Sequence, residues 1–294
     1  MENQEEIQNL NETLLREDTT GPAADNIATT DEDLSINQMF QQGALPSLGR
    51  QIFSVVPMHG PTAAVFNIKV KNGDVVLLRN NAEVYPSQLI KTGMTSEVIQ
   101  DIKAQYGKNA KPIINKLLRG LANEDENTKT LAFLDTNAKT EPVLTLSDAG
   151  SSFQTASEIS QKVSAIIAKA NSKNYRTFEA CVVLPYTYAG TIIAQTNVGR
   201  DNSFGASGLF VGKYGQTQYF INPDSTDTKA YVLLKDSKNI SKSAAVFSPY
   251  QEEVIEAQDP DTGNMVYFIA NRFAITASPL HELNNEMMFK FEIA

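Results

Sequence analysis

The chain has 294 residues, 41% of them hydrophobic, enough to bury a core of ordinary size in one large domain or about two smaller ones. No run approaches the ~18 apolar residues of a membrane span, and the start "MENQEEIQNLNETLLRED" is neither basic nor apolar, which argues against a signal or transit peptide. The formal net charge of −9 is concentrated in residues 1–42, which carry ten acids and one base, Arg16, leaving 24 of each sign in the rest.

A polar, acidic, aromatic-poor leader of this kind reads as a solvated tail, or as an arm that orders on assembly. Its self-repelling carboxylates make it a poor binder of nucleic acid. After a mixed stretch broken by Gly43, Pro46 and Gly49 comes "SVVPMHGPTAAVFNIKVKNGD", Ser54 to Asp74. Its first half cannot be regular, because proline fixes φ and lacks an N–H. Its second half alternates Phe66, Ile68 and Val70 with Asn67, Lys69 and Lys71, then closes on Asn72-Gly73, the strongest short hairpin signal. This predicts a hairpin pairing Val65–Lys71 with Val75–Asn80. With about seven residues per strand it would project some 20 Å, and a lone hairpin is marginally stable unless it lies on a neighbour. The arm is therefore expected to serve another subunit, with Lys69, Lys71, Asn72, Gly73, Asp74 and Arg79 as candidate interface residues.

A third extended piece, "EVYPSQLIKTG", returns the chain, its Pro86 marking an edge or irregular strand. Thr95 or Ser96 caps a helix with Val98, Ile99, Ile102 and Tyr106 on one face, stopped by Gly107. Pro112 suits the first turn of the next helix, whose apolar stripe is Ile113, Ile114, Leu117, Leu118 and Leu121. The stripe fades at "ANEDENTKT" and resumes at Leu131. Either two helices form, or one helix of about 40 Å, Asn109 to Asp135, crosses an exposed stretch. Beyond a break at Glu141-Pro142, a third helix is expected over about Ala156–Asn171. A buried strand Glu179–Leu184, a short helix started by Pro185 and a glycine-rich loop (Gly199, Gly205, Gly208) follow. The remainder to Ile293 is strand-rich, with Asp261-Thr262-Gly263-Asn264 turning its penultimate hairpin. The fold class is α+β: arm, hairpin, helices, then a largely antiparallel sheet.

A catalytic or cofactor site is not found. His59 and His281 stand alone, and "HELNNE" lacks the second histidine of a metal-binding helix. "GRDNSFGASG" has the wrong glycine spacing for a phosphate cradle. Glu252, Glu253 and Glu256 could be taken for paired carboxylates, but adjacent acids on a strand face opposite ways and read as a solvated edge. The single cysteine, Cys181, excludes an internal disulfide framework, fits a reducing compartment, and in "FEACVVLP" reads as a buried structural thiol. No Lys/Arg stripe with interleaved aromatics offers a nucleic-acid surface. The product of such a chain is a surface rather than a reaction, so no enzyme activity, cofactor or metal is expected.

The segment "LPSLGRQIFSVVPMHGPTAAVFNIK" resembles one in the major capsid proteins of T-even-type contractile-tailed phages, where a leucine-proline lead-in precedes V-x-P-M-x-x-P-T-x-x-x-F and a strand. The matching residues are Leu45, Pro46, Leu48, Val55, Pro57, Met58, Pro61, Thr62 and Phe66. "QDIKAQYGKNA" resembles the approach to that family's long spine helix, and "VGKYGQTQYFIN" its Gly-Lys-Tyr strand. "AAVFSPYQEEVIEAQDPDTGNMVYFIANRFAITASP" is similar to its aromatic-Pro-Tyr strand and terminal Arg-x-x-Ile segment, here Pro249, Tyr250, Arg272, Ile275 and Pro279. The resemblance spans about Gly43 to Pro279 with the order preserved.

The resemblance implies the Hong Kong 97-type capsid fold and a major capsid protein that tiles hexamers and pentamers of an icosahedral head. That head encloses double-stranded DNA without sequence-specific binding, is assembled in the host cytoplasm, and makes no membrane contact. Carried over, residues 1–45 are the acidic arm, 46–61 a lead-in, and 62–93 the extended loop. The peripheral domain is 94–178, the axial domain 179–270, and 271–294 return to the periphery. The chain is much shorter than the T-even proteins and lacks room for their insertion in the extended loop, so a decoration protein could reinforce the shell, beside vertex and scaffolding partners. Leu10-Asn11-Glu12 and Leu15-Arg16-Glu17 fit the Leu/Ile-x-Glu pattern after which relatives are cut on maturation, which makes Glu12 and Glu17 candidate cleavage positions. An arm that stays attached is the preferred expectation. Alternatives of the same fold are a vertex protein or an encapsulin-like shell. From another class comes a carbohydrate-binding or tail module built on Tyr214, Tyr219 and Tyr231.

Overall fold

The computed structural model describes residues 46–71, 74–85, 88–94, 99–101, 103–104, 110–147, 152–174, 178–195, 209–214, 216–224, 226–236, 243–258, 264–279, 281 and 287–294. The acidic leader with Glu12 and Glu17, the Asn72-Gly73 turn, Thr95, Ser96 and the glycine-rich loop lie outside them.

Ser47 caps a short helix α1 (Leu48–Ile52), its hydroxyl accepting from Arg50 N. Strand β1 (Ser54–Val55) leads to β2 (Thr62–Lys71) and β3 (Asp74–Glu83), which pair antiparallel from Thr62↔Glu83 to Lys71↔Asp74. That register leaves Asn72 and Gly73 as a two-residue connection, as the sequence requires, and lengthens each strand to ten residues. Strand β4 (Gln88–Met94) is the terminal strand of a four-stranded sheet ordered β1-β10-β11-β4, consistent with the edge assignment made from Pro86. Residues 99–101 and 103–104 are helical.

One helix, α2, runs unbroken from Ala110 to Asn137, 28 residues and about 42 Å. After β5 (Lys139–Thr140), helix α3 (Ser152–Asn174) buries Ala156, Ile159, Val163, Ile166 and Ala170 at helical spacing, with Ile167 partly buried against the same core. Then come β6 (Glu179–Leu184), α4 (Tyr186–Gln195), β7 (Phe210–Tyr214), β8 (Thr217–Ile221), β9 (Lys229–Lys235), β10 (Ala245–Gln258), β11 (Met265–Ala277) and β12 (Met288–Glu292). A six-stranded sheet has the order β5-β12-β9-β6-β8-β7. It is mixed rather than purely antiparallel, since β6 pairs parallel with β8 and β12 with β5. The fold class is α+β.

The described residues divide into two compact units, each discontinuous in sequence. One comprises 89–121 and 254–269, with Ile114, Leu118, Val266, Tyr267 and Ile269 buried and Lys111 Nζ 2.6 Å from Glu256 Oε1. The other comprises 45–88, 122–253 and 270–294, and its core joins Leu48, Ile52 and Phe53, the inner faces of α3 and α4, and the six-stranded sheet. Cys181 lies in that core; burial pushes its thiol pKa up to about 11, an inert structural residue as expected.

Candidate functional site: the hairpin and its anchorage

The sequence enters the hairpin through two prolines, and the structure shows what holds that lead-in. β1 pairs parallel with β10 (Ser54↔Val246, Val55↔Phe247), and the contact continues as Val56 N and Met58 N donate to Phe247 O and Pro249 O, both at 2.9 Å. The returning leg is held as firmly. Val84 N donates to Pro61 O at 3.3 Å, Tyr85 N to Phe273 O at 2.8 Å, and Asn80 Nδ2 to Ala277 O at 2.9 Å. Between the legs, Met58, Ala82 and Ala274 form a small buried cluster flanked by Val84 and Tyr250. The Tyr85 and Phe273 rings lie 5.3 Å apart, with Lys129 Nζ over both at 5.6 and 5.2 Å.

Beyond this base, β2 and β3 pair only with each other among the described residues, so each strand keeps one row of backbone donors and acceptors without a ladder. Of the expected interface residues, Lys69, Lys71 and Asp74 fall on these strands near the turn, Lys71 directly opposite Asp74. Asn72 and Gly73 lie outside the described residues. Arg79 sits farther back, opposite Phe66, exposed, with its Nε donating to Asn81 Oδ1 at 3.1 Å.

The part that sequence reasoning missed lies in the polar window of α2. An exposed crossing was expected there; instead Glu126 and Thr130 are fully buried and Asn127 is 2% exposed. These side chains receive the lead-in. Asn127 Oδ1 accepts from Leu48 N at 2.6 Å, and its Nδ2 donates to Pro46 O at 3.2 Å. Arg50 grips Glu126 with two bonds, Nε to Oε2 at 3.2 Å and Nη2 to Oε1 at 2.8 Å, and Asn271 Nδ2 gives Glu126 Oε1 a third at 3.0 Å. Arg50 Nη2 also reaches Glu252 Oε2 at 2.8 Å, and its guanidinium lies 5.6 Å from the centre of the Phe247 ring. Burial alone would lower the Arg50 pKa, but the bonds and charges of Glu126 and Glu252 outweigh it and hold the group above its ordinary value. The "solvated edge" of Glu252, Glu253 and Glu256 is thus partly corrected: two of the three are ion-paired, and Glu253 is exposed with no partner among the described residues. One signal was available in the sequence. Buried positions on α2 step by four, through 114, 118, 122, 126, 130 and 134, and the polar residues continue the step begun by apolar ones. The same rhythm leaves Leu121, expected in the stripe, 39% exposed.

Three further features of this unit are accounted for by packing and local bonding among the described residues. An open groove of about 690 Å³ is lined by Glu124, Asp135, Asp224, Asp227, Lys229 and Tyr231 among others. Three of its acids are satisfied locally: Lys229 and Lys290 bond Asp135 and hold its pKa below its ordinary value, Thr226 N and Oγ1 donate to Asp224, and Tyr231 Oη and Asn222 Nδ2 donate to Asp227. His281 is buried with Nε2 3.0 Å from Asn137 O, a packed core histidine. Of the three tyrosines of the carbohydrate-module alternative, Tyr219 and Tyr231 are 3% and 1% exposed and offer no aromatic face, and the Tyr214 side chain lies outside those described.

The profile of the family described as "Major capsid protein Gp23" matches residues 75–292. The chain belongs to the Gp23 major capsid protein family. The match starts after the Pro-Met…Pro-Thr block, so the resemblance carried by Leu45–Phe66 stands ahead of it. No curated protein matches the chain in sequence. Among solved structures, the virus-like particle from Pyrococcus furiosus is similar at 11% identity and a TM-score of 0.57, covering 87% of this chain and 95% of that one. A chain of Mycobacterium phage Cain gives 9%, 0.53, 90% and 98%, and the capsid of Myoviridae phage XM1 gives 10%, 0.52, 87% and 92%. At such identities the likeness establishes the fold, which is the Hong Kong 97-type capsid fold. This Gp23-family chain is a major capsid protein, a virion component that forms the phage head shell.

Proposed function

We propose that the chain tiles an icosahedral head as hexamers and pentamers, and that its hairpin lies across an adjacent subunit. The observation that carries this is the hairpin itself: ten paired positions on a rigidly anchored base, with no third strand beside them among the described residues. Lys69, Lys71, Asn72, Gly73, Asp74 and Arg79 are the residues assigned to that contact. The role is structural, with no reaction catalysed; assembly takes place in the host cytoplasm around double-stranded DNA held without sequence preference. The same reading divides the chain into arm (1–45), lead-in (46–61), extended loop (62–93), peripheral domain (94–178), axial domain (179–270) and peripheral return (271–294). Vertex, scaffolding and decoration proteins are its further partners.

Replacing Lys69–Leu78 by a short Gly/Ser linker tests the central contact. An obligate shell contact buries more than about 2,000 Å², beyond what small surface loops supply. The variant should be soluble and folded but remain in unassembled form by size-exclusion chromatography, and particles of normal size would refute the assignment. The leader, facing the interior, acts during assembly and stays attached. Intact mass of subunits from DNA-filled particles should then give a chain beginning at Met1 or Glu2. A chain beginning at Thr13 or Asp18 would place cleavage after Glu12 or Glu17.

A further inference from the structure

The β2–β3 hairpin exchanges the polarity of its two faces along its length. Residues directly opposite in an antiparallel pair share a face, and successive residues alternate between faces. The register therefore sets Phe66, Ile68, Val70, Val75 and Leu77 on the face of Thr62 and Glu83, and Asn67, Lys69, Lys71 and Asp74 on the face of Ala82. At the base, the chain itself takes this second face: Ala82 is buried with Met58 and Ala274, and Asn80 Nδ2 donates to Ala277 O at 2.9 Å. The first face is left to solvent there, with Thr62, Arg79, Asn81 and Glu83 exposed. Toward the turn the order reverses. Every position of the first face beyond Arg79 is apolar, while four of the six beyond Asn80 on the second are polar or charged. Among the described residues, no other element of the chain packs along the two strands. A hairpin that met only its own chain would keep its apolar residues on the side where its base rests. The exchange marks a different neighbour, on the opposite side.

We propose that the apolar face of Phe66, Ile68, Val70, Val75 and Leu77 is the side of the hairpin that docks on a second copy of this chain. The inference rests on the reading that the hairpin lies across an adjacent subunit, and adds which side makes the contact. Size argues for that occupant. Four residue steps of about 3.4 Å along two strands about 4.8 Å apart span roughly 140 Å² in projection. A stable interface takes about 800 Å² from each partner, several times as much. Such a face cannot hold a free-standing partner by itself; it serves one that many equivalent contacts keep in place together. Copies of this chain closing a shell meet that condition. Each gives its hairpin to one neighbour and receives that of another, a heterologous contact of the kind that closes rings. Arg79 borders the contact, and Lys69, Lys71 and Asp74 stand on the side turned away from it.

Thiol labelling reads the two faces separately, because the one native thiol, Cys181, is buried. The single variants Ile68→Cys and Leu77→Cys probe the apolar face, and Lys69→Cys and Lys71→Cys the charged one. In assembled particles the first pair should label several-fold more slowly than in the unassembled chain, and the second pair at an unchanged rate. The unaltered chain gives the same comparison without any substitution. Acylation of the Lys69 and Lys71 amines, read by peptide mass spectrometry, should be as fast in particles as before assembly, whatever the variants do to folding. Protection of the charged face alone, equal protection of both faces, or a several-fold loss of Lys69 and Lys71 acylation in unaltered particles would overturn the proposal while leaving the hairpin at a neighbour. No protection on either face would overturn it together with the reading on which it rests.

Discussion

Gly49 shows how closely the lead-in is seated on α2. A Cβ at this position would stand 2.7 Å from Thr130 Oγ1 and 3.0 Å from Phe247 Cδ2. Neither neighbour is free to retreat, since Thr130 Oγ1 is bonded to Glu126 O at 2.7 Å and the Phe247 ring is buried and stacked on Phe273. Gly49→Ala is therefore expected to destabilise the fold by about 1–3 kcal/mol, the usual range for overpacking, by denaturant unfolding. An unchanged midpoint would mean that α1 does not rest on Thr130. The adjacent pair makes a related point. Glu126 is wholly buried and needs Arg50 and Asn271, because an ionised carboxylate out of water is tolerated only with its bonds satisfied. Arg50 remains partly exposed and shares its second charge contact with Glu252.

At the scale of elements, α2 and the β2–β3 hairpin determine each other's position within the larger unit. The lead-in hydrogen-bonds α2 through Asn127, then β10 through Val56 and Met58, and the returning leg bonds β11 through Tyr85. Continuity of α2 through its polar window is thus required. Thr128 is exposed there and its hydroxyl donates to Glu124 O at 2.9 Å, so Thr128→Ala should be nearly neutral. Thr128→Pro removes a mid-helix bond and clashes one turn back, and should cost about 3 kcal/mol or more. Circular dichroism and denaturant unfolding compare the two variants, and equal stability would contradict a single helix. The hairpin and α3 were legible because each is written in local periodicity: alternation closed by Asn-Gly, and apolar residues at helical spacing. The window at Glu124–Thr130 was misread for the converse reason. Its burial depends on Arg50, Leu48 and Asn271, residues 76 to 145 positions away, and no local pattern reports a polar side chain satisfied at that distance.

For the whole molecule, the mixed order β5-β12-β9-β6-β8-β7 was equally hidden, because the parallel pairing of β6 with β8 joins segments that local turns do not connect. The functional class nonetheless followed from the Asn-Gly-closed hairpin and from the capsid-protein resemblance carried by Leu45–Phe66. Membership of the Gp23 family makes the chain a component of a head shell. The central proposal is that identical copies of this chain close into an icosahedral shell of hexamers and pentamers. Electron microscopy of the purified full-length protein under assembly conditions tests it most directly. Closed shells, or the rings from which they form, are expected, with six-fold and five-fold arrays in which each subunit's hairpin crosses a neighbour; dispersed monomers, or a closed assembly whose hairpins touch no other subunit, would contradict the proposal.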